Sequence, residues 1–229
     1  MIPLRDSTRS CSFPYVTVAI IILNLYIYFV QFTSNPNALE QLIIHYALIP
    51  ARFAEGLQAY SWAGFLHSPL VTATFLHGSW FHVLFNMLYL WIFGDNIEDR
   101  LGHVRFLLFY LLAGVAGNIA HILLNFDSPI PLVGASGAIA GVLGAYFITF
   151  PRSKITTLFF VFFFIFVRPI PAIFFLFFWF VLQLANGLGS IGIMGETTAW
   201  WAHIGGFLAG IGLMLLLRKR NRSPYDSIY

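Results

Sequence analysis

Residues 133–141 read Val-Gly-Ala-Ser-Gly-Ala-Ile-Ala-Gly, and residues 201–210 read Trp-Ala-His-Ile-Gly-Gly-Phe-Leu-Ala-Gly. Each stretch opens an apolar segment and places one reactive type of side chain, Ser136 or His203, among small residues. Small residues at helical spacing let two membrane helices approach closely. A serine and a histidine that meet between such helices can act as a nucleophile and its base. The two stretches therefore predict a helical bundle built around this pair.

The composition is that of a protein embedded in a membrane. The 229 residues are 59% hydrophobic and only 9% charged, whereas a soluble domain usually has about 25% charged residues. The net charge of +3 is too small to indicate a nucleic-acid partner. The single cysteine, Cys11, excludes an intrachain disulfide framework. We therefore expect a polytopic membrane protein that contacts lipids and binds no nucleic acid.

Six segments are suited to membrane-spanning helices, which need roughly 20 mainly apolar residues. The predicted spans are 14–32, 78–93, 104–124, 134–150, 170–184 and 200–217. The stretch 155–167 would reach only about 20 Å as a helix, and Arg168, Pro169 and Pro171 interrupt the apolar sequence after it. We interpret 155–167 as interfacial or re-entrant. The predicted fold class is an all-α bundle of six transmembrane helices.

The basic residues predict how this bundle is oriented. With six spans, both termini and the second and fourth loops share one side, which holds every Lys and Arg except Arg52. Cytoplasmic loops are enriched in Lys and Arg, so we expect both termini in the cytoplasm. The predicted parts are a cytoplasmic N-terminal segment (1–13), a membrane domain (14–217) with a long first external loop (33–77), and a basic cytoplasmic tail (218–229). Within that loop, 57–66 is suited to the membrane interface.

Three spans carry a polar side chain at the same shallow depth. The second, fourth and sixth spans run in one direction, and His82, Ser136 and His203 lie roughly 5–8 Å below the outer boundary. His82 and Asn86 share a helix face, and their N–H groups can stabilise a developing oxyanion. The alternative for them is hydrogen bonding between helices. No Asp or Glu is predicted at this depth, which favours a dyad with Ser136 as nucleophile and His203 as general base and then acid.

Three motifs resemble those of the rhomboid family of intramembrane serine proteases. They are Gly134-Ala135-Ser136-Gly137, Ala202-His203-Ile204-Gly205-Gly206 and the stretch from His77 to Asn86. The resemblance covers about 70–217 and implies a six-helix bundle with Ser136 and His203 as the catalytic dyad. It also implies an oxyanion hole made by His82, Asn86 and the Ser136 backbone N–H, with no metal and no cofactor.

The resemblance also implies a substrate class and a route to the site. The family cleaves single-pass membrane proteins at or near the membrane boundary. The fifth span would be a lateral gate for the substrate. The residues expected at this gate are Phe174, Phe178 and Trp179, and those expected near the active site are His77, Gly134, Gly137 and Ala140. We expect a multi-pass protein of a bacterial-type inner membrane, with its active site near the external face.

The sequence departs from the family pattern at two places. Many members carry an aromatic residue four positions after the serine, where it stacks on the histidine, but this chain has Ala140. Many also carry a Trp-Arg pair in the first external loop, for which 51–53 is the nearest candidate. Because Ser136 and His203 are both present, a protease is favoured over a non-catalytic rhomboid-like protein that binds membrane clients. A transporter would need polar groups past the midplane of these spans, and a metalloprotease would need a His-Glu-x-x-His motif.

Overall fold

The computed structural model describes residues 1–56, 68–161, 163–191 and 198–217. The predicted interfacial segment 57–66 and the tail 218–229 lie outside these ranges. In chain order the helices are α1 (Tyr15–Thr33), α2 (Pro36–Tyr46), α3 (Pro50–Gly56), α4 (Pro69–Thr72), α5 (Trp80–Leu101), α6 (His103–Leu124), α7 (Ser136–Thr149), α8 (Ala172–Gly189) and α9 (Trp200–Leu217). A 3₁₀ turn, Ala73–Phe75, follows α4, and the strands are β1 (Ile2–Arg5), β2 (Lys154–Val161) and β3 (Phe164–Pro171).

Helix length and apolar composition indicate which elements cross a membrane. In α1, α6, α8 and α9, both properties are sufficient for a span. The apolar helix α7 has only 14 residues, and α5 has 22 but ends on a charged segment that includes Asp95, Glu98 and Asp99. Each predicted span overlaps one of these six helices. The four candidates confirm an integral membrane protein, while the six-span topology stays a prediction.

Helix α7 can lie at the centre of the bundle because half of its 14 residues are Gly, Ala or Ser. Every residue from 137 to 146 is buried. A Cβ on Gly141 would lie 2.4 Å from the Cβ of Ala113 on α6 and 3.2 Å from the Gly206 carbonyl oxygen on α9. Two neighbouring helices thus touch the α7 backbone at one position. This close packing fixes where the first residue of α7 lies.

The helices α5, α7 and α9 run in the same direction. The contacts that establish this are Gly137–Gly206 and Gly141–Gly210 between α7 and α9, and Gly134–His82 and Tyr146–Phe93 on the side of α5. Helix α6 runs the opposite way, since Gly117 lies beside Gly137 and Ala113 beside Gly141. The N-terminal ends of α5, α7 and α9 consequently meet at one end of the bundle.

A three-stranded sheet is the main departure from the predicted all-α class. The strands β2 and β3 form an antiparallel hairpin in which Thr157 pairs with Arg168, and β1 pairs with β2. The stretch 155–167, predicted as an interfacial or re-entrant part of an all-α fold, forms most of this hairpin. Its β-branched and aromatic residues favour strands, and Pro169 and Pro171 cannot donate helix hydrogen bonds. The all-α prediction is therefore wrong at this point.

The first loop packs on the end of the bundle where α5, α7 and α9 begin. Leu48 and Leu132 exchange backbone hydrogen bonds of 3.1 and 2.7 Å. On α6, the Asn118 side chain donates to the Leu70 carbonyl oxygen at 2.8 Å. Leu48 and Leu70 belong to a second buried apolar cluster that also includes side chains of α6. These contacts join the first loop to the segment that precedes Ser136.

Candidate active site

Ser136 and His203 are in direct contact at the end of the bundle where α7 and α9 begin. Ser136 is the first residue of α7, and His203 lies in the first turn of α9. The Ser136 Oγ and the His203 Nε2 are 2.8 Å apart, which is a hydrogen-bonding distance. Both side chains are partly exposed. The pair therefore has the arrangement of a nucleophile and its base and can be reached from outside the bundle.

Glycines fix the separation of α7 and α9, and with it the contact between serine and histidine. A Cβ on Gly206 would lie 2.0 Å from the carbonyl oxygen of Gly137, and a Cβ on Gly210 would lie 2.0 Å from that of Gly141. Only a hydrogen atom fits at such distances. The small residues thus let the two backbones touch, which brings together side chains that are 67 residues apart in sequence.

The second ring nitrogen of His203 is also hydrogen-bonded. The Oε1 of Gln183, a buried residue of α8, lies 2.8 Å from the Nδ1 of His203. Among the described residues, the side chains bonded to this imidazole are Gln183 and Ser136, and neither is an acid. Sequence reasoning missed Gln183. The available signal was a polar residue inside an apolar span, because such residues are costly there and often functional.

Two tryptophans border the His203 ring. On α8, the Trp179 ring centroid lies 6.0 Å from that of His203, at an interplanar angle of 38°. On α9, the Trp200 ring lies edge-on at 6.2 Å and 90°. Ala140, the residue four positions after the serine, is fully buried against α9, which leaves no room for a ring at that position. The aromatic contacts of the histidine therefore come from α8 and α9.

The three residues predicted for a gate lie in two different environments. Phe174 and Phe178 are 66% and 48% exposed, so they face outward from α8. Trp179 instead lies between His203 and Phe207, with its ring centroid 6.0 Å from each. Of the three, Trp179 is the residue that the structure brings to the histidine.

His82 lies on the other side of Ser136, against Gly134. The φ of Gly134 is +134°, a conformation that glycine adopts at little cost, and its N–H donates to the Ala73 carbonyl oxygen at 2.9 Å. A Cβ on Gly134 would lie 2.9 Å from the His82 Nε2 and 3.6 Å from the Ser136 Oγ. The imidazole of His82 and the serine hydroxyl therefore border the same small space at Gly134.

Asn86 follows His82 by about one helical turn on α5 and is buried. Its Nδ2 has no hydrogen-bond partner in the part of the chain that the structure describes, although buried amide groups are usually paired. The first N–H groups of a helix, here beginning with Ser136, have no intrahelical acceptor. Unpaired N–H donors are of the kind that stabilises an oxyanion.

His77 is held by a residue of α1 that sequence reasoning also missed. The Gln31 Nε2 donates to the His77 carbonyl oxygen at 3.2 Å, and the His77 N–H donates to the Gln31 Oε1 at 3.1 Å. The His77 ring lies edge-on to His82, with the centroids 5.1 Å apart. Gln31 is a second polar residue within an apolar span. His77 thus borders the site through its contact with His82.

The chain is similar to one family of proteins over most of its length. The family model described as Rhomboid domain matches residues 64–220. The Rhomboid protease GluP of Bacillus subtilis is 49% identical over 76 residues, which cover 33% of this chain and 14% of that protein. The mitochondrial presenilin-associated rhomboid-like protein of Mus musculus is 32% identical over 177 residues, covering 72% and 42%. The mitochondrial Rhomboid protein 1 of Saccharomyces cerevisiae is 30% identical over 146 residues, covering 62% and 39%. The chain thus spans less than half the length of each of these relatives.

Proposed function

Because the chain belongs to the rhomboid family, we propose that it is an intramembrane serine endopeptidase that cleaves single-pass transmembrane proteins at or near the membrane boundary. The observation that carries this proposal is the 2.8 Å contact between the Ser136 Oγ and the His203 Nε2. A serine hydroxyl is a weak nucleophile that an adjacent base activates. The relative named Rhomboid protease GluP supports the same class of activity.

The proposed reaction uses the dyad in two steps. The Ser136 Oγ bonds to the carbonyl carbon of the scissile peptide, its proton passes to the His203 Nε2, and the carbonyl electron pair moves onto oxygen. His82, Asn86 and the Ser136 backbone N–H supply donors for this oxyanion. When the C–N bond breaks, the proton on Nε2 goes to the leaving amine. Water, activated by His203, then releases the acyl group and restores the serine.

The proposed substrate reaches the site from the lipid beside α8. The outward-facing Phe174 and Phe178 would contact lipid, through which a single-pass helix approaches, and α8 would be the gate. The distribution of Lys and Arg supports cytoplasmic termini, which puts the active site near the external face. A bacterial-type inner membrane is proposed by analogy with the Bacillus subtilis relative, and the alternative is a mitochondrial membrane, by analogy with the two mitochondrial relatives. The partners are then single-pass membrane proteins and the surrounding lipids.

A mechanism-based serine probe and a model single-pass substrate test this function. The wild-type protein should be labelled, and mapping should place the label on Ser136. The variants Ser136→Ala and His203→Ala should each abolish cleavage while extracting and unfolding as the wild type does. Cleavage retained in either variant would contradict the dyad. A wild-type protein that binds the substrate without cutting it would indicate a client-binding protein instead.

A further inference from the structure

His203 is hydrogen-bonded at both ring nitrogens, and the dyad accounts for only one of them. The Ser136 Oγ lies 2.8 Å from Nε2, and the Gln183 Oε1 lies 2.8 Å from Nδ1. We propose that Gln183 is a positioning residue that holds His203 in the tautomer with its proton on Nδ1, which leaves the Nε2 lone pair for Ser136. This inference rests on the serine–histidine dyad proposed above.

The orientation of the Gln183 amide selects the tautomer. Its Nε2 donates to the backbone carbonyl oxygen of Trp179 at 3.4 Å, which turns Oε1 toward His203. An amide oxygen only accepts hydrogen bonds, so His203 donates from Nδ1. A neutral imidazole carries a single N–H, and Nε2 is then the acceptor for the serine hydroxyl. If the amide were reversed, Oε1 would face the Trp179 carbonyl oxygen. Both atoms are acceptors, so no hydrogen bond could form between them.

A neutral amide suits this position better than the carboxylate of a soluble triad. Gln183 is 7% exposed and lies on a helix apolar enough to span a membrane. A charged group in such a span carries a large desolvation cost. The carboxylates of α5, including Asp95 and Glu98, lie near the end of that helix opposite to His82. Gln183 can therefore orient the imidazole without bringing a charge to it.

The surroundings of the ring limit its rotation further. Trp179, about one turn before Gln183 on α8, lies beside the imidazole at 38°, and Trp200 meets it edge-on. Because Gln183 and Trp179 share a helix face, the position of α8 determines how the histidine is held. Helix α8 thus contributes to the geometry of the dyad as well as to the outer surface of the bundle.

Three variants test the role of Gln183. Gln183→Met keeps a side chain of similar length without an acceptor, and Gln183→Glu keeps an acceptor oxygen. Asn186→Leu is the matched control, because the Asn186 Nδ2 donates to the Leu182 carbonyl oxygen at 2.8 Å, four residues back as in Gln183, from an exposed position. Each protein is compared by the rate of serine-probe labelling, by kcat and KM, and by ¹⁵N NMR of labelled histidine, with His203→Ala to assign the His203 signals.

We expect Gln183→Met to slow labelling of Ser136 by about ten- to hundredfold. The loss should be smaller than the roughly 10⁴-fold seen when the aspartate of a soluble triad is replaced, because a neutral amide stabilises the imidazolium less. The change should appear in kcat rather than KM, since substrate contacts are retained. His203 should populate both tautomers in Gln183→Met, whereas wild type and Asn186→Leu should keep the proton on Nδ1.

Gln183→Glu provides a second measurement that does not depend on how Gln183→Met folds. A carboxylate beside Nδ1 favours the imidazolium, so the acid limb of the pH–rate profile should move to higher pH. Within the described residues, the other titratable groups whose charge acts on His203 are His82 on α5 and His121 on α6, and both are the same in every variant. An unmoved acid limb together with labelling of Ser136 at the wild-type rate in both Gln183→Glu and Gln183→Met would overturn the proposal.

Two further results would overturn the role of Gln183. One is wild-type labelling and an unchanged tautomer in Gln183→Met, and the other is an equal loss in Gln183→Met and Asn186→Leu. A wild-type protein that the probe does not label would contradict the proposed protease, not the tautomer. In that case the NMR spectrum of His203 still reports whether Nδ1 carries the proton, so the two failures are distinguishable.

Discussion

Gly134 has no side chain, and this leaves a gap between the Ser136 hydroxyl and the His82 ring. A methyl group at this position would fill the gap. In Gly134→Ala, the new Cβ would lie 2.9 Å from the imidazole, and a φ of +134° is unfavourable for alanine. The His82 ring must therefore move. We expect turnover of a model substrate to fall roughly ten- to hundredfold, somewhat less than loss of an entire oxyanion donor costs in soluble enzymes.

Gly78→Ala is the control for this change. No atom lies within 4 Å of a Cβ on Gly78, and its backbone N–H, 3.5 Å from the His82 Nδ1, remains in alanine. Steady-state cleavage by Gly78→Ala should match the wild type. Equal losses of activity in Gly134→Ala and Gly78→Ala would show that the position of the His82 ring does not depend on the gap at Gly134.

The variant Asn86→Ala should lower turnover while changing the stability of the fold very little. The buried Nδ2 of Asn86 has no partner among the described residues, so Asn86→Ala should change the free energy of unfolding by less than about 1 kcal/mol. Turnover should fall about a hundred- to thousandfold if the donor binds the oxyanion. Thermal unfolding in detergent and kcat measure the two effects.

Asn118 is the contrasting amide, because its Nδ2 donates to the Leu70 carbonyl oxygen at 2.8 Å. Asn118→Ala should lower the thermal midpoint and leave turnover per folded molecule unchanged. The assignment of Asn86 fails if Asn86→Ala is destabilised in the same way and keeps its turnover.

The residues that hold the histidine were harder to predict than the pair itself. Ser136 and His203 stand out because the small residues around them report on helix contact. Gln183 lies 20 residues before His203, and the small residue of α8 that packs on α9, Gly187, does not single it out. A polar side chain in an apolar span indicates that some partner exists. Only the packing of α8 against α9 identifies the partner as His203 and places Trp179 beside it.

At the scale of elements, the contact between α7 and α9 sets the distance between serine and histidine. Gly206→Ala would bring a Cβ within 2.0 Å of the Gly137 carbonyl oxygen, so the two helices must separate. A displacement of about 1 Å can cost a hundredfold in rate. We therefore expect a lower thermal midpoint and labelling of Ser136 slowed by at least about tenfold.

Gly212→Ala, on the same helix, is the control because no atom lies within 4 Å of a Cβ there. Alanine has a higher helix propensity than glycine, by about 1 kcal/mol, so this variant should be at least as stable as the wild type and be labelled at the same rate. If Ser136 were labelled at similar rates in Gly206→Ala and Gly212→Ala, the glycines would not be what sets the spacing between α7 and α9.

The start of α1 is capped by a side chain of α5. Glu98 is 1% exposed, and its two oxygens accept from the N–H groups of Val16 and Thr17 at 2.9 and 2.7 Å. Glu98→Gln replaces one acceptor by a donor, so one buried N–H loses its partner. We expect the free energy of unfolding to fall by about 1–3 kcal/mol, as measured by denaturant unfolding in detergent. The exposed Glu40 of α2 supplies the control Glu40→Gln, and equal stability of the two variants would contradict the capping role.

The helices could be predicted from length and apolar composition, whereas the sheet could not. The stretch 155–167 is apolar and short, and periodicity alone does not distinguish strand from helix in such a run. The edge of β2 is also completed by β1, which comes from Ile2–Arg5 at the other end of the chain. That pairing is a long-range contact, and no local pattern in either segment reports it.

At the scale of the whole molecule, polar groups are divided between the two ends of the bundle. Ser136 begins α7, while Tyr146, about ten residues later, donates its hydroxyl proton to the Asp6 carboxylate. Ten helical residues extend about 15 Å. Asp6 and the charged end of α5, which carries Asp95, therefore lie about that far from the dyad. The sequence likewise predicts no Asp or Glu at the depth of His203.

The carboxylates at this second end make stability depend on pH. Asp95 lies beyond the apolar part of α5, where burial and then the charge of Asp6 raise its pKa to about 6. Burial also raises the pKa of Asp6. An unfolded aspartate has a pKa of about 3.9, so the folded chain holds the Asp95 proton more tightly. Its contribution to stability is therefore complete below about pH 4 and is lost as the pH rises through about 6.

Asp95→Asn should remove much of this dependence. The asparagine oxygen can still accept the Asn96 N–H, which lies 2.7 Å from the Asp95 Oδ1, so the variant should match the wild type near pH 4. Near pH 7.5 it should be more stable by roughly 1–2 kcal/mol, allowing for screening by solvent. Asp6→Asn removes the neighbouring charge and should move the wild-type transition to lower pH. Thermal unfolding between about pH 4 and 8 measures both variants, and a wild type that gains stability over Asp95→Asn as the pH rises would contradict the raised pKa of this carboxyl.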